Sequence, residues 1–67
     1  MNNTYFMRYL ADKRLSQREF SRISGFSLLS VHRWYNGYGK ITPENCLKIK
    51  DKFPDFEVSK IRPDIWG

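Results

Sequence analysis

One cysteine, one histidine and no long apolar run set the first limits on this 67-residue chain. Cys46, being alone, can close no intramolecular disulfide. Cys46 and His32 together are too few to form a zinc-binding cluster. No stretch approaches the roughly 20 apolar residues of a membrane span. The opening "MNNTYFMRYL" lacks the basic segment and apolar run of a signal peptide. β-branched residues are sparse and no two-residue alternation persists, which leaves room for at most a short C-terminal strand. Repeats, low-complexity segments and linkers are also missing, so residues 1–67 read as a single domain. A chain this short has little volume for a deep cleft. It holds no Ser/His/Asp set at suitable spacing and no phosphate-cradling glycine loop. The aromatic stacking motifs of known RNA modules are absent as well. The expectation is a small soluble cytoplasmic protein, not an enzyme, with no cofactor, metal, small-molecule ligand or membrane partner.

What is present is cationic charge, unevenly placed. The chain carries a net charge of +5. Residues 1–40 hold seven cations (Arg8, Lys13, Arg14, Arg18, Arg22, Arg33 and Lys40) against two carboxylates, Asp12 and Glu19. Residues 41–67 hold five of each sign. The whole excess therefore lies in the first 40 residues, as a footprint for a polyanion would. A basic surface kept only for solubility is the plainer reading.

Punctuation and periodicity predict an all-α domain of four to five helices, over about 4–14, 17–24, 28–35 and 43–53 with a short turn near 57–61. The first helix takes Asn3 or Thr4 as its cap and buries Phe6, Tyr9 and Leu10. "SQRE" is a capping box that opens the second, with Ser16 and Glu19 reciprocating. Its inner face is Phe20, Ile23 and Ser24, and Gly25 ends it. Ser27 caps the third helix and Asn36-Gly37 stops it. Thr42 caps the fourth, with Pro43 at the first position, where its missing N–H costs nothing. The inner stripe there is Cys46, Leu47, Ile49, the stem of Lys50, and Phe53. From Arg62-Pro63 the tail is expected to run extended.

Three residues around Gly25 join the second and third helices, the length of a helix-turn-helix. Counted from Gln17, Ser21 is the small residue at position five, where the helices must cross closely. Gly25 is the turn at nine. Val31 and Trp34, at fifteen and eighteen, seat the second helix on the core. Here "QREFSRISGFSLLSVHRWYNG" resembles the helix-turn-helix of phage Cro and CI repressors. "KITPENCLKIKDKF" and the ending "IRPDIW" are similar to the prophage Cro-like and YdaS-like group, so the likeness spans about residues 6–66. Two departures are visible: Ser21 stands where Ala is usual, and the final turn before "RPDIW" is shorter. The resemblance implies a repressor that binds a phage or prophage operator, usually as a dimer.

The faces of the third helix sort by angle, at about 100° per residue. With Val31 inward, Trp34 lies about 60° to one side, and Leu28 and Tyr35 lie about 60° and 40° to the other. Leu29, Arg33 and Asn36 fall about 140–160° away, on the outer face, with His32 and Ser30 flanking it. Leu28 either packs beside Val31 or leans out over the groove, as the matching position does in related repressors. Leu29 has nothing in the fold to cover it and suits a thymine methyl. Arg33 matches the O6/N7 edge of guanine, and His32 can donate to a base or phosphate. Backbone contacts are expected from Gln17, Arg18, Ser27, Ser30, Asn36, Tyr38 and Lys40, with Arg14 as an outer contributor. In the family, the positions matching Gln17 and Asn36 commonly touch the sugar-phosphate backbone.

One such domain covers only a half-site, so a homodimer on pseudo-palindromic double-stranded DNA is the economical arrangement, either weakly associated in solution or formed only on the DNA. Phe53, Phe56, Val58, Ile61, Ile65 and Trp66 are the apolar residues available to pair subunits. Alternatively the tail folds back over the first and fourth helices, with Trp66 plugging a gap. A rival function is a protein-interaction module of the YdaS-like antitoxin kind. Such a module would neutralise a partner toxin through Tyr35, Tyr38, Phe56 and Trp66 and could repress its own operon.

Overall fold

A computed structural model of the chain describes residues 3–66. Over them the fold is all-helical: α1 (Asn3–Asp12), α2 (Gln17–Ser24), α3 (Leu28–Tyr35), α4 (Pro43–Lys52), α5 (Val58–Ile61) and α6 (Pro63–Trp66). No strand occurs among the described residues.

The expected start signals act as read. Ser16 Oγ accepts from the Glu19 N–H, and the Glu19 carboxylate accepts from the Ser16 N–H, both at 3.0 Å. Those two bonds hold the Glu19 carboxyl below its ordinary pKa, the backbone bond contributing most. Thr42 Oγ1 accepts from the Asn45 N–H at 3.2 Å, and Pro43 occupies the first turn of α4. Asn3 already lies inside α1 rather than capping it.

α1 stops at Asp12, short of the expected residue 14, because Arg14 turns into the left-handed region with φ 55°. The Leu15 N–H then donates to the Leu10 carbonyl at 2.9 Å and the Arg14 N–H to the Ala11 carbonyl at 3.0 Å. This is a Schellman closure, built on an arginine where glycine is usual. The bend swings Leu15 back against the core.

That core is aromatic. Phe6 meets Phe20 edge-on at 5.2 Å and Trp34 at 6.3 Å, and Phe20 stacks on Phe53 at 5.0 Å. Val31, Ile41, Cys46, Ile49, Phe56 and Ile61 are fully buried around them. Burial pushes the Cys46 thiol above its ordinary pKa, so it packs as a small neutral hydrophobe.

Two residues expected inside are outside. Ile23 is 46 % exposed and Leu47 54 % exposed. On α2 the buried side is centred on Phe20 and turns toward Gln17, Ser21 and Ser24, so Ile23 falls past its edge. On α4 the core is met by Cys46, Ile49 and Phe53, and Leu47 stands about 100° round from Cys46.

Two corrections concern the C-terminal third. Phe56, taken for a surface aromatic, is fully buried between Tyr5 and Tyr9, with ring centroids at 5.6 and 5.1 Å. Polar clamps fold its loop inward. Lys50 Nζ donates to the carbonyls of Pro54 and Phe56 at 3.2 Å each. The Tyr9 hydroxyl donates to Asp55 at 2.6 Å, and Lys13 pairs with the same carboxylate. Lys13 chiefly, and then Tyr9, hold the Asp55 carboxyl below its usual pKa. Burial first, and Asp55 second, push the Tyr9 hydroxyl up, so it stays protonated as the donor.

The tail is not extended after Arg62 but makes the helical turn α6. Pro63 occupies its first position, where a missing N–H costs nothing, and the Arg62 carbonyl accepts from Ile65 and Trp66 at 3.0 and 3.1 Å. The Arg62 guanidinium donates to the Ile41 carbonyl at 2.8 Å and to both Asp64 oxygens at 3.0 and 2.7 Å. It thereby fastens the tail to the loop before α4, and Trp66 packs partly against the core.

Replacing Arg14 with glycine should stabilise the fold by about 0.5–1 kcal/mol. The left-handed conformation costs an ordinary residue about 1–2 kcal/mol, and the entropy of an added glycine offsets part of the gain. Chemical denaturation measures this, and a destabilised Arg14→Gly protein would refute the closure. A second expectation concerns acid. Arg62 holds the Asp64 carboxyl down to about 2. A carboxyl whose pKa is lowered by folding contributes stability above its unfolded pKa of about 4, and that contribution disappears as pH falls through the folded value. The melting temperature should therefore fall between about pH 4 and 2, and Asp64→Asn should remove part of that slope. An unchanged slope would show that the tail clamp carries no proton linkage.

Candidate nucleic-acid interface

The connection from α2 to α3 is held by serine hydroxyls as well as by glycine. Gly25, at φ 85°, lets its N–H reach the Ser21 carbonyl at 2.9 Å and end α2. Ser21 Oγ donates to the Phe26 carbonyl at 2.6 Å, and the Phe26 N–H donates to Ser24 Oγ at 3.4 Å. Both backbone groups of Phe26 are therefore held, and its ring packs on Trp34 at 5.0 Å. The hydroxyl at position 21, read from sequence only as a small side chain, turns out to be a tie across the turn.

α3 then starts from Ser27, whose Oγ accepts from the Ser30 N–H at 3.2 Å and donates to Ser30 Oγ at 2.9 Å. At its other end, Gly37 adopts φ 77°. The Tyr38 N–H donates to the Arg33 carbonyl at 2.9 Å and the Gly37 N–H to the Trp34 carbonyl at 3.2 Å. Asn3 Nδ2 donates to the Tyr35 carbonyl at 3.4 Å, tying the start of α1 to the end of α3. A Cβ on Gly37 would stand 3.2 Å from that same Asn3 nitrogen, so the loop passes close over α1.

With both ends and one side fixed, α3 turns Val31 and Trp34 into the core and the opposite face to solvent. Leu29 is 68 % exposed and Leu28 40 %. Leu28 is the less exposed of the two and stands at the edge of the outer face. His32, Arg33 and Asn36 are exposed, and Ser30 is half-buried at the flank. Asn36 is already engaged: its Nδ2 donates to the His32 carbonyl at 2.8 Å and lies 3.3 Å from His32 Nδ1. A phosphate contact from Asn36 would compete with that bond.

Gln17 opens α2 half-buried, and Arg18, Ser27, Tyr38 and Lys40 are exposed. Most cations of residues 41–67 are engaged, although Lys52 makes no ion pair among the described residues. Lys48, Lys60 and Arg62 each pair with a carboxylate, and Lys50 is committed to carbonyls. Among the described residues Arg8, Arg14, Arg18, Arg22, Arg33 and Lys40 make no ion pair. The charge excess of the first 40 residues is therefore unneutralised in the fold, apart from Lys13 on Asp55. Among those residues, too, no group of three or more His, Cys, Asp and Glu side chains is placed to hold a metal, and no helix is long and apolar enough to cross a membrane.

No family model, curated protein or solved structure matches the chain.

Substituting Ser21 by alanine keeps the close crossing of α2 and α3 but leaves the part-buried Phe26 carbonyl without its donor. The expected cost is about 1 kcal/mol in denaturant titration. Unchanged stability would mean that the hydroxyl contributes only its small size.

Proposed function

We propose that the chain is a sequence-specific double-stranded DNA-binding protein, a transcriptional repressor of the phage or prophage Cro kind, acting in the bacterial cytoplasm. The observation that carries this reading is the outer face of α3, where Leu29 is 68 % exposed on the same side as the unpaired Arg33. Water is a poor solvent for Leu29. A major groove lined with thymine methyls covers it, while Arg33 pairs with guanine in the same groove. α2 and α3 then act as a helix-turn-helix, with Ser21, Gly25, Val31 and Trp34 in the four packing positions. Leu28 and His32 extend the base-reading surface. Gln17, Arg18, Ser27, Ser30, Tyr38 and Lys40 hold phosphates and set register, with Asn36 as a weaker contributor because of its internal bond.

Two copies on a pseudo-palindrome complete the site. Of the apolar residues available for pairing, Phe56 and Ile61 are consumed by the core, whereas Ile65 remains 44 % exposed on α6. The rival antitoxin-like reading loses one of its four aromatics for the same reason, and of the other three Tyr38 is exposed while Tyr35 and Trp66 are half-buried.

Selection from random duplex DNA at moderate salt tests the proposal. The expected product is an inverted repeat with half-sites about one helical turn apart. Arg33→Ala should weaken the selected site by about 1–3 kcal/mol and relax one base pair. Lys40→Ala should weaken all sequences alike and lower the salt slope by about one. If no sequence is enriched over bulk DNA, the proposal fails.

A further inference from the structure

We propose that Gly39 is a specificity-determining positioning residue, whose lack of a bulky side chain leaves the space in which the Arg33 guanidinium lies. The inference rests on α3 being the element that reads DNA. A Cβ built at position 39 stands 4.0 Å from both Arg33 Nε and Nη2. The arginine therefore runs toward the C-terminal end of α3, and its guanidinium lies on the side to which a position-39 side chain would point. No polar partner holds it: among the described residues its side chain makes no ion pair and no hydrogen bond. An unrestrained arginine carries much rotamer entropy, and that entropy is lost when it docks on a base edge. The absence of a side chain at 39 leaves open the space in which the guanidinium lies, on the side of α3 that would meet DNA.

Gly39 also differs from the neighbouring glycines in a way that isolates this role. Gly25 and Gly37 have φ of 85° and 77°, conformations that glycine alone adopts cheaply, but Gly39 has no such φ. A side chain at 39 therefore meets no backbone penalty, and its first effect is on Arg33. Alanine fits, because 4.0 Å is ordinary contact for a Cβ. Valine does not: its γ-carbons reach about 1.5 Å beyond Cβ, and one directed at the guanidinium forces it to move. The charge of the surface is unchanged by either substitution. Attraction to bulk DNA should therefore persist, while the base that Arg33 addresses is lost.

The test compares wild type, Gly39→Ala and Gly39→Val on the DNA selected by the wild-type protein and on random duplex. Gly39→Ala should keep the wild-type preference. Gly39→Val should bind random duplex with the same affinity and salt slope, yet lose at least about fivefold in preference at the base pair that Arg33→Ala relaxes. The Arg33 Nε–H resonance of the free protein should shift in Gly39→Val and not in Gly39→Ala. Gly39→Thr repeats the measurement if the valine protein melts early. An unchanged preference and an unmoved resonance in Gly39→Val or Gly39→Thr would overturn the inference, as would equal losses in the alanine and valine proteins. A wild type that selects no sequence at all would count against DNA reading itself, and the resonance would still report whether position 39 places Arg33.

Discussion

The fold depends on the position of one ring. Phe6, fully buried on α1, meets Phe20 of α2 and Trp34 of α3 edge-on at the same time. Phe20 passes the contact on by stacking flat against Phe53 at the end of α4. Four helices are thus oriented by a chain of aromatic contacts, each worth about 0.5–1.5 kcal/mol beyond the area it buries. In so small a core no second layer exists to correct an error. The rotation of α3 about its own axis, and hence the identity of its outer face, is set where Trp34 meets Phe6 and Phe26.

Around that ring system the polar groups serve as fasteners rather than as chemistry. Lys50, the Tyr9–Asp55–Lys13 cluster and the Arg62–Asp64 pair all hold the C-terminal third against α1 and the loop before α4. Cations of that third are largely committed to carboxylates or carbonyls. Arg14, in the α1–α2 connection, and Arg33, on α3, remain without ion-pair partners among the described residues. Arg14 occupies a left-handed position that glycine would fill at less cost. Side chains held against local preference or left unpaired are the natural candidates for an external polyanion.

Most helix starts and stops were legible because they are decided within four residues. The reciprocal bonds of Ser16 and Glu19, the cap at Thr42 with Pro43 behind it, and the left-handed Gly25 and Gly37 are all local chemistry. The same local rule applies to Pro63, which opens a helical turn rather than the extended end expected from Arg62-Pro63. Arg14 gave no signal at all, since an arginine rarely ends a helix in this way. For the outer face of α3, angular arithmetic from Val31 was sufficient to separate Leu29 and Arg33 from Trp34.

Sequence by itself, then, determined the all-helical class, the bounds of α2 and α3, and the side of α3 that faces water, because each follows from capping and a 3.6-residue period. Only the tertiary structure decided which stripe residues the core would accept. Ile23 and Leu47 were left outside, and Phe56 was brought in by clamps from Lys50 and Tyr9, residues six and 47 positions earlier in the chain. The Ser21 tie to Phe26 belongs to the same category. Periodicity gives a side chain's direction from its own helix, but whether it is covered depends on what another segment brings to that side.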